Sequence, residues 1–214
     1  MTRFALVLLL SGGLVAAEEP KPLAADFEDA KVGEVPKGWT VTKTGTDDAS
    51  VWKVVEDKDS PKGAKVLAQV FESPRPMFNL CVLDATSFKD VEVSVAFKAV
   101  KGQDDQGGGV VWRYKDANNY YVARHNPLEK NFRLYKIENG KRSQLATTKD
   151  DVDAPAGKWH TLSVTMKGDA ITCSLNGRKV IEAKDATFAD AGKVGLWTKA
   201  DAHTYFDDFR ATAK

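Results

Sequence analysis

The sequence predicts an all-β protein, a sandwich of two packed antiparallel sheets. Three observations carry this. Apolar and polar residues alternate with a period of two through most of residues 26–212, as in VEVSVAFKAV (91–100) and HTLSVTMKG (160–168). Tight-turn signals recur between these runs, at Lys167-Gly168-Asp169, Asn176-Gly177 and Asn139-Gly140. Helical periodicity is absent apart from DATFADAG (185–192), which is long enough for one short turn.

Along the chain, MTRFALVLLLSGGLVAA (1–17) is a different kind of sequence. Arg3 precedes the apolar run Phe4–Leu10, and Val15-Ala16-Ala17 offers small residues for cleavage. This reads as a secretory signal peptide cut near Ala17, too short in its apolar run to span a membrane. The mature chain is therefore expected to be exported, periplasmic or secreted. Cleavage removes Arg3 and leaves 30 basic against 30 acidic residues, so a nucleic-acid or anionic-membrane partner is not expected. EEPKPLAA (18–25) reads as a flexible lead-in, and residues 26–214 as a single domain of about twelve or thirteen strands.

The hairpin GGGVVWRYKDANNYYVARH (107–125) has the densest chemistry. Its turn at Asp116–Asn119 leaves the pairing open. An even loop opposes Lys115 to Tyr120 and puts Arg113 with Tyr120, Val122 and Arg124; an odd loop pairs Arg113 with Tyr121 and Trp112 with Val122. Base rates favour Trp112 and Tyr114 as core. The three glycines precede no helix and no Lys-Ser/Thr, so they are not a phosphate loop; they permit a bend or bulge, or leave room for a ligand. Further on, an inward Leu196 would place Trp197 and Lys199 together on the other face.

The opening DFEDAKVGEVPKGW (26–39), the middle segment 88–142 and the closing segment 158–211 with its GKVGLWTKAD and FDDF elements together resemble the concanavalin A-like jelly-roll superfamily. More narrowly, they are similar to bacterial LamG-like domains grouped with the 3-keto-disaccharide hydrolase domains. The resemblance implies a concanavalin A-like lectin/glucanase sandwich with one concave sheet, and members that bind glycans, hydrolyse sugar derivatives or have no known activity. The Glu-x-Asp-x-(x)-Glu strand of β-glucan-cleaving relatives is missing, which argues against ordinary retaining hydrolysis. The first expectation is a lectin-like domain holding a carbohydrate or sugar derivative on Arg113, Tyr120, Tyr121, Arg124, His125, Trp197 and Lys199. The alternatives are a 3-keto-glycoside hydrolase using a base such as His125, Asp104, Asp105 or Lys199, and a structural or adhesive cell-surface module. Asp26 and Glu28 near the start and Asp207 and Asp208 near the end suggest a structural calcium if the terminal strands meet; simple capping of the N-terminal turn is the alternative. Cys81 and Cys173 sit in apolar alternating segments and are expected as free thiols.

Overall fold

The computed structural model describes residues 22–46, 50–72 and 77–214. The expected signal peptide lies outside them. Fifteen strands and no helix make up the described chain, and residues 185–192 run without a helical turn into the last sheet strands. No described helix is long and apolar enough to cross a membrane.

One sheet contains β1 (Leu23–Ala25), β3 (Trp52–Glu56), β4 (Lys65–Gln69), β6 (Val91–Lys101), β11 (His160–Lys167), β12 (Ala170–Leu175), β13 (Arg178–Lys184) and β15 (His203–Ala213). Its order is β13-β12-β11-β6-β15-β4-β3, with β1 also on β15. We call it sheet A. Sheet B contains β2 (Trp39–Thr44), β5 (Phe78–Phe88), β7 (Gly108–Asp116), β8 (Asn119–Asn126), β9 (Asn131–Glu138), β10 (Lys141–Thr147) and β14 (Gly192–Lys199), in the order β10-β9-β8-β7-β14-β5-β2. All pairs are antiparallel, the outcome expected of a jelly roll. The lead-in is partly ordered: Leu23 pairs with Ala211 and Ala25 with Phe209.

Local chemistry accounts for the meanders. Asn139 and Gly140 have φ of 51° and 77°, and Asn176 and Gly177 have 50° and 76°; two successive positive values are what a two-residue hairpin turn requires. Alternate side chains then face the other sheet. Val93, Val95, Phe97, Leu162, Val164 and Met166 from sheet A meet Val110, Trp112, Tyr121, Ala123, Phe132, Leu134 and Leu196 from sheet B. Cys81 and Cys173 lie in this core as free thiols, and burial pushes both thiols up, Cys173 to about 12.

Sheet B has a second buried cluster on its other face, formed by Phe78, Leu80, Val82, Val111, Tyr120, Val122, Tyr135, Ile137 and Trp197. No sheet covers it. Sheet B curls over its own outer face. Arg142 on β10 stands 5.3 Å from the ring of Phe78 on β5, five strands away, where a flat sheet would separate them by about 24 Å. The hairpin tips close the curl: Gly140 N–H donates to Asn118 O, and the Thr44 hydroxyl donates to Ala117 O.

Arg113 marks a bulge in the middle strand of sheet B. Near the tip Asp116 pairs with Asn119, the even-loop pairing; below it Trp112 pairs with Tyr121. The register slips between them at Arg113, which has φ of 44°. Such a bulge bends a strand and removes its residue from the alternation. Neither pairing read from the sequence holds along the whole hairpin.

Candidate functional site

The outer face of β8 and β9 carries Tyr120, Val122 and Arg124 beside Arg133, Tyr135 and Ile137, because Arg124 opposes Arg133 and Val122 opposes Tyr135. On β14, Trp197 opposes Gly109, and Gly109 opposes Arg124. Trp197, Arg124 and Arg133 therefore share one row across the curled sheet. Leu196 points into the inter-sheet core, so Trp197 and Lys199 share the outer face as the alternation requires.

The apolar cluster fills one end of the curl. Tyr120 is fully buried, and its hydroxyl lies 2.8 Å from Thr44 Oγ1. Burial raises its pKa, and nearby Trp197 acts in the other direction. That Tyr120–Trp197 contact falls short of hydrogen-bond geometry and leaves the indole N–H of Trp197 unpaired. The ring of Phe78 lies 5.3 Å from Trp197.

The other end is polar. Arg124 donates to Asn131 Oδ1 at 2.8 Å and to Glu129 Oε2 at 2.6 Å. Arg133 reaches the same Glu129 oxygen at 3.1 Å. Burial pulls the Glu129 carboxyl upwards, but the Arg124 hydrogen bond and the two positive charges outweigh it and hold the pKa below its ordinary value. The Nε groups of Arg124 and Arg133 are buried without an acceptor. Lys199 Nζ donates to Asp105 Oδ2 at 2.7 Å, and Asp105 Oδ1 accepts from Asn126 Nδ2 and from the Gln106 N–H. Between the apolar cluster and the hairpin tips a cavity of about 320 Å³ is lined by Thr44, Gly45, Phe78, Gly140, Arg142 and Lys199. The guanidinium carbon of Arg142 stands 4.6 Å from the ring of Tyr135 and 5.3 Å from that of Phe78.

The expected binding set is thus divided. Tyr120, Arg124, Trp197 and Lys199 share this face. Arg113, Tyr121 and His125 do not. Arg113 is 2% exposed and has its donors engaged: Nε on Lys89 O, one terminal nitrogen on Phe188 O, the other on Gly168 O and Asp90. A guanidinium in a bulge ties three connections together, leaving little for a ligand. Tyr121 stacks on Trp112 in the inter-sheet core and donates to Asp185 Oδ1 at 2.6 Å; burial first, then that carboxylate, pushes its pKa up to about 12. His125 is fully buried on the inward face and donates from Nε2 to Val152 O, and burial lowers its pKa to about 4.

The carboxylates proposed for calcium are not brought round one centre; no metal-sized group of three such ligands exists among the described residues. The terminal strands do meet, but each carboxylate finds its own partners. Asp26 accepts from Glu28 N–H; Glu28 from Ala64 and Lys65 N–H; Asp207 from Ser60, Lys62 N–H and Asp208 N–H; Asp208 from Arg210. Lys65 Nζ sits 2.7 and 2.9 Å from the carbonyls of Glu28 and Ala30. An ammonium thus takes the carbonyl oxygens that a cation shell here would need. The glycine triplet serves backbone approach: a Cβ on Gly109 would stand 1.8 Å from Ala123 O.

Sequence reasoning missed Phe78, Arg133, Tyr135 and Arg142. Alternation in FRLYKIE does place Arg133, Tyr135 and Ile137 on one face, and Arg142 directly opposes Ile137 across the Asn139-Gly140 turn. Only the curl brings that face to Phe78.

Comparison with known proteins agrees with this fold. The carbohydrate-binding module CBM66 from Bacillus subtilis superposes with a TM-score of 0.65 at 23% identity, covering 82% of this chain and 95% of that one. Domain 4 of AbnA, an extracellular arabinanase from Geobacillus stearothermophilus solved with arabinotriose, gives 0.58 at 15% identity, covering 91% and 93%. These likenesses show the fold. A levanase of Bacillus subtilis (strain 168) is 29% identical over 116 residues, which is 54% of this chain but 17% of the levanase. Residues 33–212, most of the chain, match the model of one family. The chain belongs to the 3-keto-alpha-glucoside-1,2-lyase-like domain family.

Proposed function

We propose that this domain is an exported carbohydrate-binding module and that the sugar enters the curl of sheet B beside the hairpin tips. The observation that carries the reading is the cavity of about 320 Å³ in which the Phe78 ring, Arg142, Lys199 and Thr44 converge. Sugar recognition needs an apolar surface and a few fixed polar groups in a concave site, and both are present. The CBM66 and arabinanase-domain likenesses and the levanase match support it. The signal-like residues 1–17 are consistent with export.

Titration calorimetry against a broad oligosaccharide panel, followed by NMR mapping with whichever sugar binds, tests the proposal. Amides of Gly45, Gly140, Arg142 and Lys199 are expected to shift, and those of Ser163 and Thr172 on sheet A to stay still. Absence of heat with every sugar, or shifts confined to sheet A, would remove the reading.

The family description keeps a lyase acting on 3-keto-α-glucosides as the second reading. Such chemistry draws a proton from the carbon beside the keto group and needs a general base within reach. Asp105 is the carboxylate behind the cavity, and Lys199, Asn126 and Gln106 N–H hold it. His125 faces the opposite side of the sheet. Both facts favour binding over turnover. Incubation with a 3-keto-glucoside discriminates: a binding module releases no aglycone.

A further inference from the structure

We propose that the pocket selects an acidic sugar, a uronate, whose carboxylate is gripped by the guanidinium of Arg142. The proposal rests on the carbohydrate-binding reading and adds the charge of the ligand. Among the described arginines only Arg142 and Arg178 lack a carboxylate partner, and of the two only Arg142 lines this cavity. Arg113, Arg124, Arg133 and Arg210 each hold a carboxylate. Arg142 touches only the faces of Tyr135 and Phe78, and among the described residues no carboxylate and no carbonyl takes its N–H groups.

The two ring contacts occupy no N–H donor of the guanidinium. Its edge stays free to offer the paired N–H groups that match a carboxylate in a bidentate contact. The electrostatics point the same way. The cavity lining carries two cations and no described carboxylate. Asp105 neutralises Lys199 from behind at 2.7 Å, whereas the charge on Arg142 has no counter-ion among the described residues. A neutral sugar would meet that charge with hydroxyls alone; a uronate supplies the missing anion. The cavity is small for a ligand site, which suits one acidic unit rather than a long stretch of glycan.

The test uses the mature protein and two matched probes: an α-1,4-linked galacturonate trimer and the same trimer fully methyl-esterified, which removes the charges and keeps the rings. Calorimetry at low salt is expected to show the acid bound at least about tenfold tighter than the ester. The preference should shrink as ionic strength rises. Arg142→Gln should abolish it, Arg142→Lys should restore part of it, and thermal melts verify that both variants remain folded. Equal binding of acid and ester, or a preference that survives Arg142→Gln, overturns the proposal. If a glucuronate trimer and the galacturonate trimer both fail while a neutral glycan binds, the acidic preference falls and the carbohydrate reading stands. If no sugar of either kind binds, both fall.

Discussion

The outer faces of the two sheets have opposite characters. On sheet A, Ser163 opposes both Ser94 and Ser174, and Thr165 opposes Thr172; the face is small and polar, and it lies open. On sheet B the corresponding positions are Val111, Tyr120, Val122, Tyr135 and Trp197, all buried. A sheet face bearing hydroxyls can remain in water, whereas one bearing large rings must find cover. Sheet B finds it in itself, curling until its first strand meets its sixth. The pocket lies against this cluster, where Arg142 and Lys199 stand beside Phe78 and Thr44.

That contrast can be broken most directly at Trp197. Trp197→Ala removes a buried indole from the curl and should cost about 3–5 kcal/mol in urea unfolding, while Thr172→Ala on sheet A should change stability by less than about 0.5 kcal/mol. Similar losses at the two sites would mean that the curl is not a second core. Next in size is a pH effect from the inward face of sheet B. His125 has its folded pKa lowered to about 4 from 6.5. Between those values the unfolded chain binds a proton that the folded chain refuses, so stability should fall with pH from about 6.5 to about 4, by up to about 3 kcal/mol, and then level off. His125→Gln should flatten that limb in unfolding titrations; an unchanged slope would assign it to other groups. Arg113→Lys should cost about 2 kcal/mol, because one ammonium cannot serve the carbonyls of Lys89, Gly168 and Phe188 together and buried acceptors would be left unmet. If the bulge is the pivot of the curl, the same variant should also expose Tyr120 to a fluorescence quencher. Smallest, Tyr120→Phe should lose about 1 kcal/mol with its Thr44 contact, detectable as a modest drop in melting temperature.

Much of this was legible from residue order. The Asn139-Gly140 and Asn176-Gly177 turns have the positive φ pairs that their sequence demands. Leu196 against Trp197 and Lys199 followed from simple alternation, and Trp112 was placed in the core by its size. The hairpin register was not legible, since the bulge falls on an arginine in a left-handed conformation, a state that nothing in VVWRYKD announces. Between Trp112 and Asp116 the strand advances four residues against two on its partner, so the faces of the even pairing survive, with Tyr120 on the outer side and Tyr121 in the core. Arg142 escaped notice for a different reason: on its strand it is one of several exposed polar residues, and only a neighbour 64 positions earlier, Phe78, makes it special. The calcium expectation failed on competition, because backbone N–H groups and the Lys65 ammonium satisfy the oxygens first.

The pairing of β1 with the last strand also fixes an orientation. Leu23 lies beside Ala211, so the two ends of the domain leave together. β15 starts at His203, one tight turn after the pocket residue Lys199, where Ala202 N–H donates to Lys199 O. From there it runs about 26 Å to Ala211. Any chain attached at either end therefore departs beside the Leu23–Ala211 pair, so two attachments would leave the domain side by side.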